Sequence, residues 1–452
     1  MKRQKRLMIL SGVLLVCVAA VFIISRIDFE EEMVGEETVL VELDSSEITA
    51  LSWNYDGEVS FHYTDEKWEY DNDTEMPVDQ EKLSDIAEEL SNITSDKKVN
   101  DVKNLSIYGL SDPKYTLTIE TEEETYEIAI DDETFSDGEV YVSTGDDYVY
   151  LTDSELIDKI SYSLLDLVQE EEVPEMNTII SVSIENESSM KIVYKENSGY
   201  CYSDVYTYYI KEDDSYRNLD NDLTKDTFDT LSNFTWSACV DYHAEETELS
   251  SYGLDEPSAS VTIKYKDKEG EKKEFSYEVG TVEDEYYARL KDSDIIYKID
   301  SEVYDAAVNA SYKELQPDEV IMLNWETVDS IDVEMDGSIY TIELSNTGDE
   351  EFTYTFDGKK IEFEDVLEEL SSVTIEKKEK EESDSRKEEL KLTFHRNTED
   401  NKEVELTFYQ YDGTYCIPVL NGETLNCVNR EDVVSLKEAI NSVVLGESAK
   451  EE

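Results

Sequence analysis

The sequence predicts an α+β fold: a single N-terminal transmembrane helix followed by three related units of antiparallel β-meander plus helices. Three observations lead to this prediction. An uncharged run at residues 7–25 follows a basic N-terminus, and two kinds of segment recur along the chain. In the stretches that separate the recurring segments, apolar and polar residues alternate as in strands. Tyr is unusually frequent, with 31 copies against 12 Phe, which is typical of half-buried strands.

The N-terminus has the pattern of an uncleaved membrane anchor. Residues 1–6 (MKRQKR) are basic, and a helix of residues 7–25 would be about 28 Å long, close to the hydrocarbon thickness of a bilayer. Because basic flanks stay in the cytoplasm, the rest of the chain is expected outside the cell. A cleaved signal peptide is the competing interpretation, but the apolar run continues beyond Ala20. A lipoprotein signal at Cys17 is disfavoured by the bulky Val16 before it.

The rest of the chain is very acidic. The protein has 112 Asp and Glu against 39 Lys and Arg, a formal net charge of −73. Such a surface repels a phosphate backbone, so nucleic-acid binding is excluded, and it repels anionic lipid headgroups as well. Cations and basic proteins remain as partners selected by charge, although solubility alone would explain the acidity. Residues 26–46 share this acidity and are expected to form an extended stalk.

Internal repeats predict the architecture of the ectodomain. The sequence from Tyr108 to Pro113 (YGLSDP) recurs from Tyr252 to Pro257 (YGLDEP), and each copy leads into an alternating strand. A third unit is indicated because EELSNITSDKK at residues 88–98 resembles EELSSVTIEKK at residues 368–378. The third unit lacks the turn sequence, so we expect it to have diverged. The predicted units are repeat 1 at residues 47–172, repeat 2 at residues 177–313 and repeat 3 at residues 327–445.

Hydrophobic periodicity predicts the elements of repeat 1 in order. Ile48–Tyr55 and Glu58–Tyr63 are expected to form a hairpin around Asp56-Gly57, a dipeptide that such turns favour. An amphipathic helix follows from Asp79, its N-cap, to Ile93. A meander and a closing helix complete the repeat, with strands near residues 115–120, 125–131, 140–143 and 148–151 and a helix at residues 154–160.

The turn shared by repeats 1 and 2 is predicted to be structural. Its glycine would supply a positive φ, and its proline would precede a strand, where the missing N–H does least harm. A ligand-binding loop is the alternative interpretation. The residues concerned are Tyr108, Gly109, Pro113, Tyr252, Gly253 and Pro257.

The anchor, the acidic ectodomain and the repeated helix, turn and meander together resemble the domain-of-unknown-function family 4340. The resemblance is best over residues 51–160 and weaker over repeat 2. It implies a bacterial membrane-anchored envelope protein of a kind often encoded beside ABC-type transport genes. It therefore implies an accessory role in the envelope and supplies no catalytic residues.

Two cysteines are candidates for a disulfide. Cys416 and Cys427 flank Asn421-Gly422, a preferred hairpin turn. Pairing outward from that turn places them opposite each other with Cβ atoms about 4.5–5.5 Å apart, near enough for a bridge in an oxidising compartment. Pro418 indicates an edge or irregular strand at this point. Two reduced cysteines packed as small hydrophobes are the alternative.

Metal and catalytic signals are weak. Asp71, Asp73 and Glu75 alternate like the ligands of a calcium loop. However, Met76 and Lys82 stand where an EF-hand requires Gly and Glu, which favours a solvated loop before a helix. The chain has 3 His and no zinc, P-loop, GxGxxG or GxSxG pattern, so no cofactor is expected. A Ser–His–Asp triad built from distant segments stays open, with no residue to name for it.

The leading hypothesis for function is a non-enzymatic, membrane-anchored, extracytoplasmic binding or scaffolding protein. Its expected partners are the membrane, through one helix, and an ABC-type transporter or other envelope proteins. One alternative is a cell-wall hydrolase using paired carboxylates, which the acidic composition would readily supply. Another is a passive surface adhesin or spacer, which the repeats fit equally well.

Overall fold

The computed structural model describes residues 33–35, 37–100, 102–131, 138–196, 201–213, 215–346, 352–376 and 387–446. They form mostly antiparallel sheets with a few helices, so the α+β class is confirmed. Within these ranges no helix is long and apolar enough to cross a membrane; the predicted anchor at residues 7–25 lies outside them. The chain divides into two compact units. Unit 1 comprises the described residues of Met1–Glu171 with Ala238–Ala244 and Asp294–Ile296; unit 2 comprises those of Glu172–Ser237, Glu245–Ser293 and Tyr297–Glu452.

Unit 1 is built on a nine-stranded antiparallel sheet with the order β1-β7-β11-β10-β9-β8-β3-β4-β5, beside a separate pair of β2 and β6. The strands are β1 (Met33–Val34), β2 (Thr38–Glu42), β3 (Ile48–Asn54), β4 (Glu58–Thr64), β5 (Lys67–Tyr70), β6 (Asn92–Ser95), β7 (Lys97–Val99), β8 (Tyr115–Thr121), β9 (Thr125–Ile130), β10 (Glu139–Ser143) and β11 (Val149–Asp153). The helices are α1 (Gln80–Leu90) and α2 (Glu155–Lys159).

The first sheet of unit 2 carries repeat 2. Its strands are β12 (Thr178–Glu185), β13 (Met190–Tyr194), β14 (Tyr208–Glu212), β15 (Ser215–Asn218), β17 (Ala259–Lys266), β18 (Lys272–Val282), β19 (Glu285–Leu290) and β20 (Ile296–Lys298), while β16 (Ala238–Asp241) belongs to unit 1. Their order is β15-β14-β13-β12-β17-β18-β19-β20. The helices are α3 (Asn221–Ser232), α4 (Ser301–Val308) and α5 (Tyr312–Leu315).

The second sheet of unit 2 carries repeat 3. Its strands are β21 (Val328–Met335), β22 (Ser338–Asn346), β23 (Phe352–Phe356), β24 (Lys359–Ile361), β25 (Lys387–Arg396), β26 (Glu403–Gln410), β27 (Tyr415–Leu420), β28 (Glu423–Thr424) and β29 (Val428–Asn429). The order is β24-β23-β22-β21-β25-β26-β27-β28, with β29 also paired to β27. Helices α6 (Glu364–Ser372) and α7 (Arg430–Gly446) pack with this sheet around one apolar core.

All three sheets share one strand pairing. In each, the first strand of the repeat pairs with a strand that follows the helix of that repeat: β3 with β8, β12 with β17 and β21 with β25. Each of these pairs carries a register shift at its start, after Ile48, Ile179 and Val328. A bulge at this point increases the local twist of the strand. The repeated β architecture is therefore confirmed, whereas the residue boundaries of the three repeats stay predictions.

Local sequence explains the regular elements. In β8, Leu117 and Ile119 are buried while Thr116 and Thr118 are more exposed, as strand alternation requires. The Asp79 carboxylate accepts a hydrogen bond from the Lys82 backbone N–H at 3.0 Å and caps α1. The helix ends at Leu90, short of the predicted end. The following residues form β6 instead, because β2 offers them a pairing partner.

The predicted acidic stalk at residues 26–46 is wrong for its second half. Thr38–Glu42 forms β2, pairs with β6 and buries Val41, of which 1% is exposed. Asp44 then caps a short 3₁₀ helix with a capping box to Glu47. Val41 and the half-buried Leu40 supply the burial that orders this segment despite the surrounding acids, whereas Val39 is exposed.

Candidate functional site

The turns of repeats 1 and 2 lie against their own sheets. Gly109 has a φ of +74° and Gly253 a φ of +67°, a region that L side chains rarely adopt. A Cβ on Gly109 would lie 2.3 Å from Oδ1 of Asp131, and one on Gly253 would lie 2.6 Å from the Thr281 carbonyl oxygen. Both turns need glycine for their backbone conformation, and Gly253 also needs it because its neighbours are backbone atoms, whereas those of Gly109 belong to the Asp131 side chain; this is a structural role. Pro113 and Pro257 each stand two residues before a strand.

Two of the three calcium candidates, Asp71 and Asp73, already accept hydrogen bonds from protein groups. Asp73 accepts hydrogen bonds from the Glu75 backbone N–H at 3.0 Å and from the Tyr242 hydroxyl at 3.1 Å. The Glu75 side chain is exposed. In the part of the chain that the structure describes, no group of three or more His, Cys, Asp or Glu is placed to hold a metal ion.

Asp71 joins a serine and a histidine. Its Oδ1 lies 2.5 Å from Nδ1 of His62, and its Oδ2 accepts the Ser60 hydroxyl. These are the residue types of a nucleophilic triad, but the carboxylate lies between the other two. Since a triad requires the hydroxyl to donate to the imidazole, these three side chains do not form a nucleophile–base pair. The second ring nitrogen of His62 faces Glu69 at 3.5 Å.

Cys416 and Cys427 are both buried, and both are free cysteines in this structure; the disulfide stays a prediction. The predicted pairing occurs in the two residue pairs next to the turn, but Val428 then lies opposite Cys416. The predicted register is wrong by one residue, because the return strand contains an extra residue there. The bulge lies beside Pro418, which has no N–H with which to continue the ladder.

Buried carboxylates are the groups that a hydrolase of the paired type would need. Glu389 is 5% exposed and accepts from Nη2 of Arg430 at 2.8 Å. Asp267 is 8% exposed, accepts two backbone N–H groups of its own hairpin, and lies 2.8 Å from Nζ of Lys273. Hydrogen bonds and the Lys273 charge hold the pKa of Asp267 below its usual range. Both carboxylates stabilise local structure, and they lie in different sheets of unit 2.

The most distinctive polar arrangement of unit 2 centres on Arg217 in β15. Its guanidinium carbon lies 4.4 Å from the ring centroid of Tyr312, a favourable cation–π distance. Its Nη2 is 2.5 Å from Oε1 of Glu423 and 3.9 Å from Oε1 of Glu212. The arginine is 28% exposed, and its Nε is buried without a hydrogen-bond partner among the described residues. An arginine held by packing and one carboxylate keeps donors for a further ligand.

Two clefts of unit 2 share Arg217, Tyr312 and Glu212 in their walls. The tyrosine cleft has a volume of about 210 Å³ and is lined by residues that include Tyr202, Tyr216, Glu319 and Glu423. The lysine cleft has a volume of about 400 Å³ and is lined by residues that include Lys191, Lys211, Lys313 and Met190. Burial raises the pKa of Tyr312 to about 12 although Arg217 opposes the shift, so its hydroxyl stays neutral. Of the two, only the lysine cleft reaches the roughly 300 Å³ at which small-ligand sites begin.

Sequence reasoning missed this arrangement. Arg217 and Glu423 are 206 residues apart and belong to no short motif, so their contact depends on how the two sheets of unit 2 pack. A weak signal was present, since Lys191 and Lys211 each lie within an apolar, strand-like segment of an acidic chain.

Comparison with known families gives one match, which occurs twice. The family model described as domain of unknown function (DUF4340) matches residues 68–241 and residues 210–393. Each match begins in a strand before a repeat's helix and runs into the next repeat. The two matches are therefore offset from each other by about one repeat. The comparisons with curated proteins and with solved structures found no match.

Proposed function

Since the chain belongs to the DUF4340 family, we propose that it is a membrane-anchored extracytoplasmic protein that binds or scaffolds envelope partners and works with an ABC-type transporter. The anchor is supported by the sequence of residues 1–25, in which four basic residues precede an apolar run long enough to span a bilayer. The net charge of −73 suits a surface exposed to salt outside the cell.

The binding role is carried by the two clefts around Arg217. Arginine and tyrosine are the side chains most enriched among residues that dominate binding energies. Here they are in contact, partly buried and bordered by open volume. The stacked ring and Glu423 hold the guanidinium in place before a partner arrives, which lowers the entropy lost on binding.

The transporter is proposed as the partner because the family resemblance implies genes of that kind nearby. A transporter also lies in the same membrane as the anchor. Anchoring would raise the effective concentration of the ectodomain at that surface, so modest contacts would suffice for association.

The test is copurification from membranes in a mild detergent, using the full chain with a C-terminal tag. We expect the tag to be accessible outside intact cells, and an ABC-type transport subunit to copurify. Arg217→Gln should reduce that yield, whereas Arg289→Gln should not. Arg289 is the matched control, because it is 22% exposed and pairs with Glu278 at 2.9 Å on the same sheet, outside both clefts. A clean monomer without a transport subunit, or an inaccessible tag, would overturn the proposal.

A further inference from the structure

The tyrosine cleft holds charges of both signs in direct contact. Among the described residues that line it, Arg217 is the one cation, and the carboxylates are Glu212, Glu319 and Glu423. Nη2 of Arg217 lies 2.5 Å from Oε1 of Glu423 and 3.9 Å from Oε1 of Glu212. Distant surface charges are largely screened at physiological salt, so these nearby groups decide what the cleft attracts. Three carboxylates against one guanidinium repel a simple anion and favour a ligand that also carries positive charge.

The strand register places two of these charged groups on one face of the sheet. Ile210 pairs with Arg217 in β14 and β15, and Glu212 lies two residues beyond Ile210. Paired residues share a face, and so do residues two apart in a strand. Glu212 and Arg217 therefore project from the same side of this hairpin, in agreement with the distance between their side chains. Glu423 approaches Arg217 from β28 of the other sheet of unit 2.

Arg217 keeps hydrogen-bond donors for a ligand. A guanidinium has five N–H donors, and among the described residues Arg217 uses one of them, from Nη2 to Glu423. Its Nε is buried, so the Nη groups are the part of the guanidinium that a ligand can reach. The ring of Tyr312, with its centroid 4.4 Å from the guanidinium carbon, restricts the guanidinium plane. A guanidinium held in one plane suits a carboxylate, which can accept two parallel hydrogen bonds from it.

The carboxylates keep acceptors beside those donors. Glu212 is 3.9 Å from Arg217, which is too far for a hydrogen bond, and its side chain is 54% exposed. Glu423 accepts the guanidinium at Oε1 and makes no hydrogen bond at Oε2 within the described residues. An ammonium group supplies three N–H donors, and charge-assisted hydrogen bonds are about twice as strong as neutral ones. The cleft thus offers acceptors for an ammonium next to donors for a carboxylate.

We infer that the tyrosine cleft binds a free α-amino acid as its zwitterion. At neutral pH such a molecule carries an ammonium and a carboxylate on the same carbon. The carboxylate accepts from Arg217, and the ammonium donates to Glu212 and Glu423. The cleft volume of about 210 Å³ is below the roughly 300 Å³ at which sites for drug-sized ligands begin, so the ligand is small. This inference rests on the proposed binding role of the clefts and names the class of ligand.

The test is calorimetric titration of the full chain in a non-ionic detergent with leucine and with two analogues that each lack one charge. Isoamylamine keeps the ammonium without the carboxylate, and 4-methylpentanoate keeps the carboxylate without the ammonium. Leucine is chosen because Val320 and Leu425 also line the cleft. We expect leucine to bind at least about tenfold more tightly than either analogue, since each analogue loses hydrogen bonds to a charged group.

Glu212→Gln removes one of the ammonium acceptors without a change in size. It should weaken leucine binding about two- to fivefold, as expected for an exposed charge pair. It should not weaken binding of 4-methylpentanoate, so the preference for leucine narrows; a purely structural role of Glu212 would weaken both ligands equally. The matched control is Glu274→Gln, because Glu274 is 53% exposed, pairs with Lys264 at 3.1 Å on the same sheet and lines neither cleft. It should change neither affinity.

Three results would overturn the inference. They are no heat from leucine up to about 10 mM, equal affinities for leucine and either analogue, and equal effects of Glu212→Gln and Glu274→Gln on leucine binding. If leucine fails to bind while Arg217→Gln still reduces copurification, the binding role stands and only the ligand class falls; loss of both results removes both.

Discussion

Gly253 offers a sharp test of the turn that repeats 1 and 2 share. In repeat 2 the turn backbone lies directly on β18, so a Cβ at Gly253 would meet the Thr281 carbonyl oxygen at 2.6 Å and its nitrogen at 2.9 Å. The opposing residue is also glycine, because a Cβ on Gly280 would lie 2.4 Å from the Gly253 carbonyl oxygen. In repeat 1 the position equivalent to Gly280 is Asp131, which follows the Tyr115–Ile130 pair as Gly280 follows Ala259–Val279.

The cost of Gly253→Ala has two parts. Forcing alanine into the left-handed region costs about 1–2 kcal/mol, and overlap with backbone that cannot rotate away adds about 1–3 kcal/mol. We expect a total loss of about 2–5 kcal/mol for repeat 2. Gly270→Ala is the control, since Gly270 has a φ of +84° and a Cβ added there would have no atom within 4 Å. It should lose only the conformational part.

The assay is hydrogen exchange of peptides from β17 and β18, with peptides from β25 and β26 as an internal reference. A local measurement is needed because a chain of two compact units does not give one unfolding free energy. Protection should fall more in Gly253→Ala than in Gly270→Ala. Equal losses in the two variants would refute the argument that close packing, in addition to the positive φ, requires glycine here.

Two further outcomes follow from caps and thiols. Asp79→Ala and Asp220→Ala each remove a side-chain N-cap and should cost about 0.5–2 kcal/mol, read from hydrogen exchange of peptides from α1 and α3. The exposed mid-helix change Asp85→Ala should cost less than about 0.5 kcal/mol in the same measurement; equal effects would contradict the capping assignment. Burial raises the pKa of Cys416 to about 12, so its thiol should resist alkylation in the native protein at about pH 8 and react after unfolding, as peptide mass spectrometry would show. The thiol of Cys416 ionises at lower pH in the unfolded chain than in the folded one. Its burial therefore contributes to stability below about pH 9, and that contribution is lost as the pH rises toward 12. Rapid alkylation of Cys416 in the native protein would contradict the burial.

Local chemistry made much of the fold predictable. The hairpin of β3 and β4 forms where Asp56-Gly57 predicts it, and α1 begins at Gln80 after the predicted cap Asp79. These features depend on residues within a few positions of one another. The repeated segments extended this reasoning from one repeat to the others, since each repeat pairs its first strand with a strand that follows its helix.

The failures share one physical cause, which is strand pairing that hydrophobic periodicity does not specify. The segment at Thr38–Glu42 is ordered only because β6 pairs with it. One extra residue beside Pro418 moved Cys427 from its predicted place opposite Cys416. Neither partner choice nor a bulge is encoded in hydrophobic periodicity, because a one-residue slip leaves the composition of a strand unchanged.

The α+β class, the repeats, the charge and the basic, apolar N-terminus on which the proposed anchor rests all follow from the order of residues along the chain. Those properties are features of composition and of local or repeated sequence patterns, so no folded structure is needed to recognise them. The contacts of Arg217, which stacks on Tyr312, pairs with Glu423 and faces two clefts, emerge from the folded chain instead. Side chains from three distant segments meet there because the sheets and helices of unit 2 pack against each other, and no spacing within the sequence specifies that meeting.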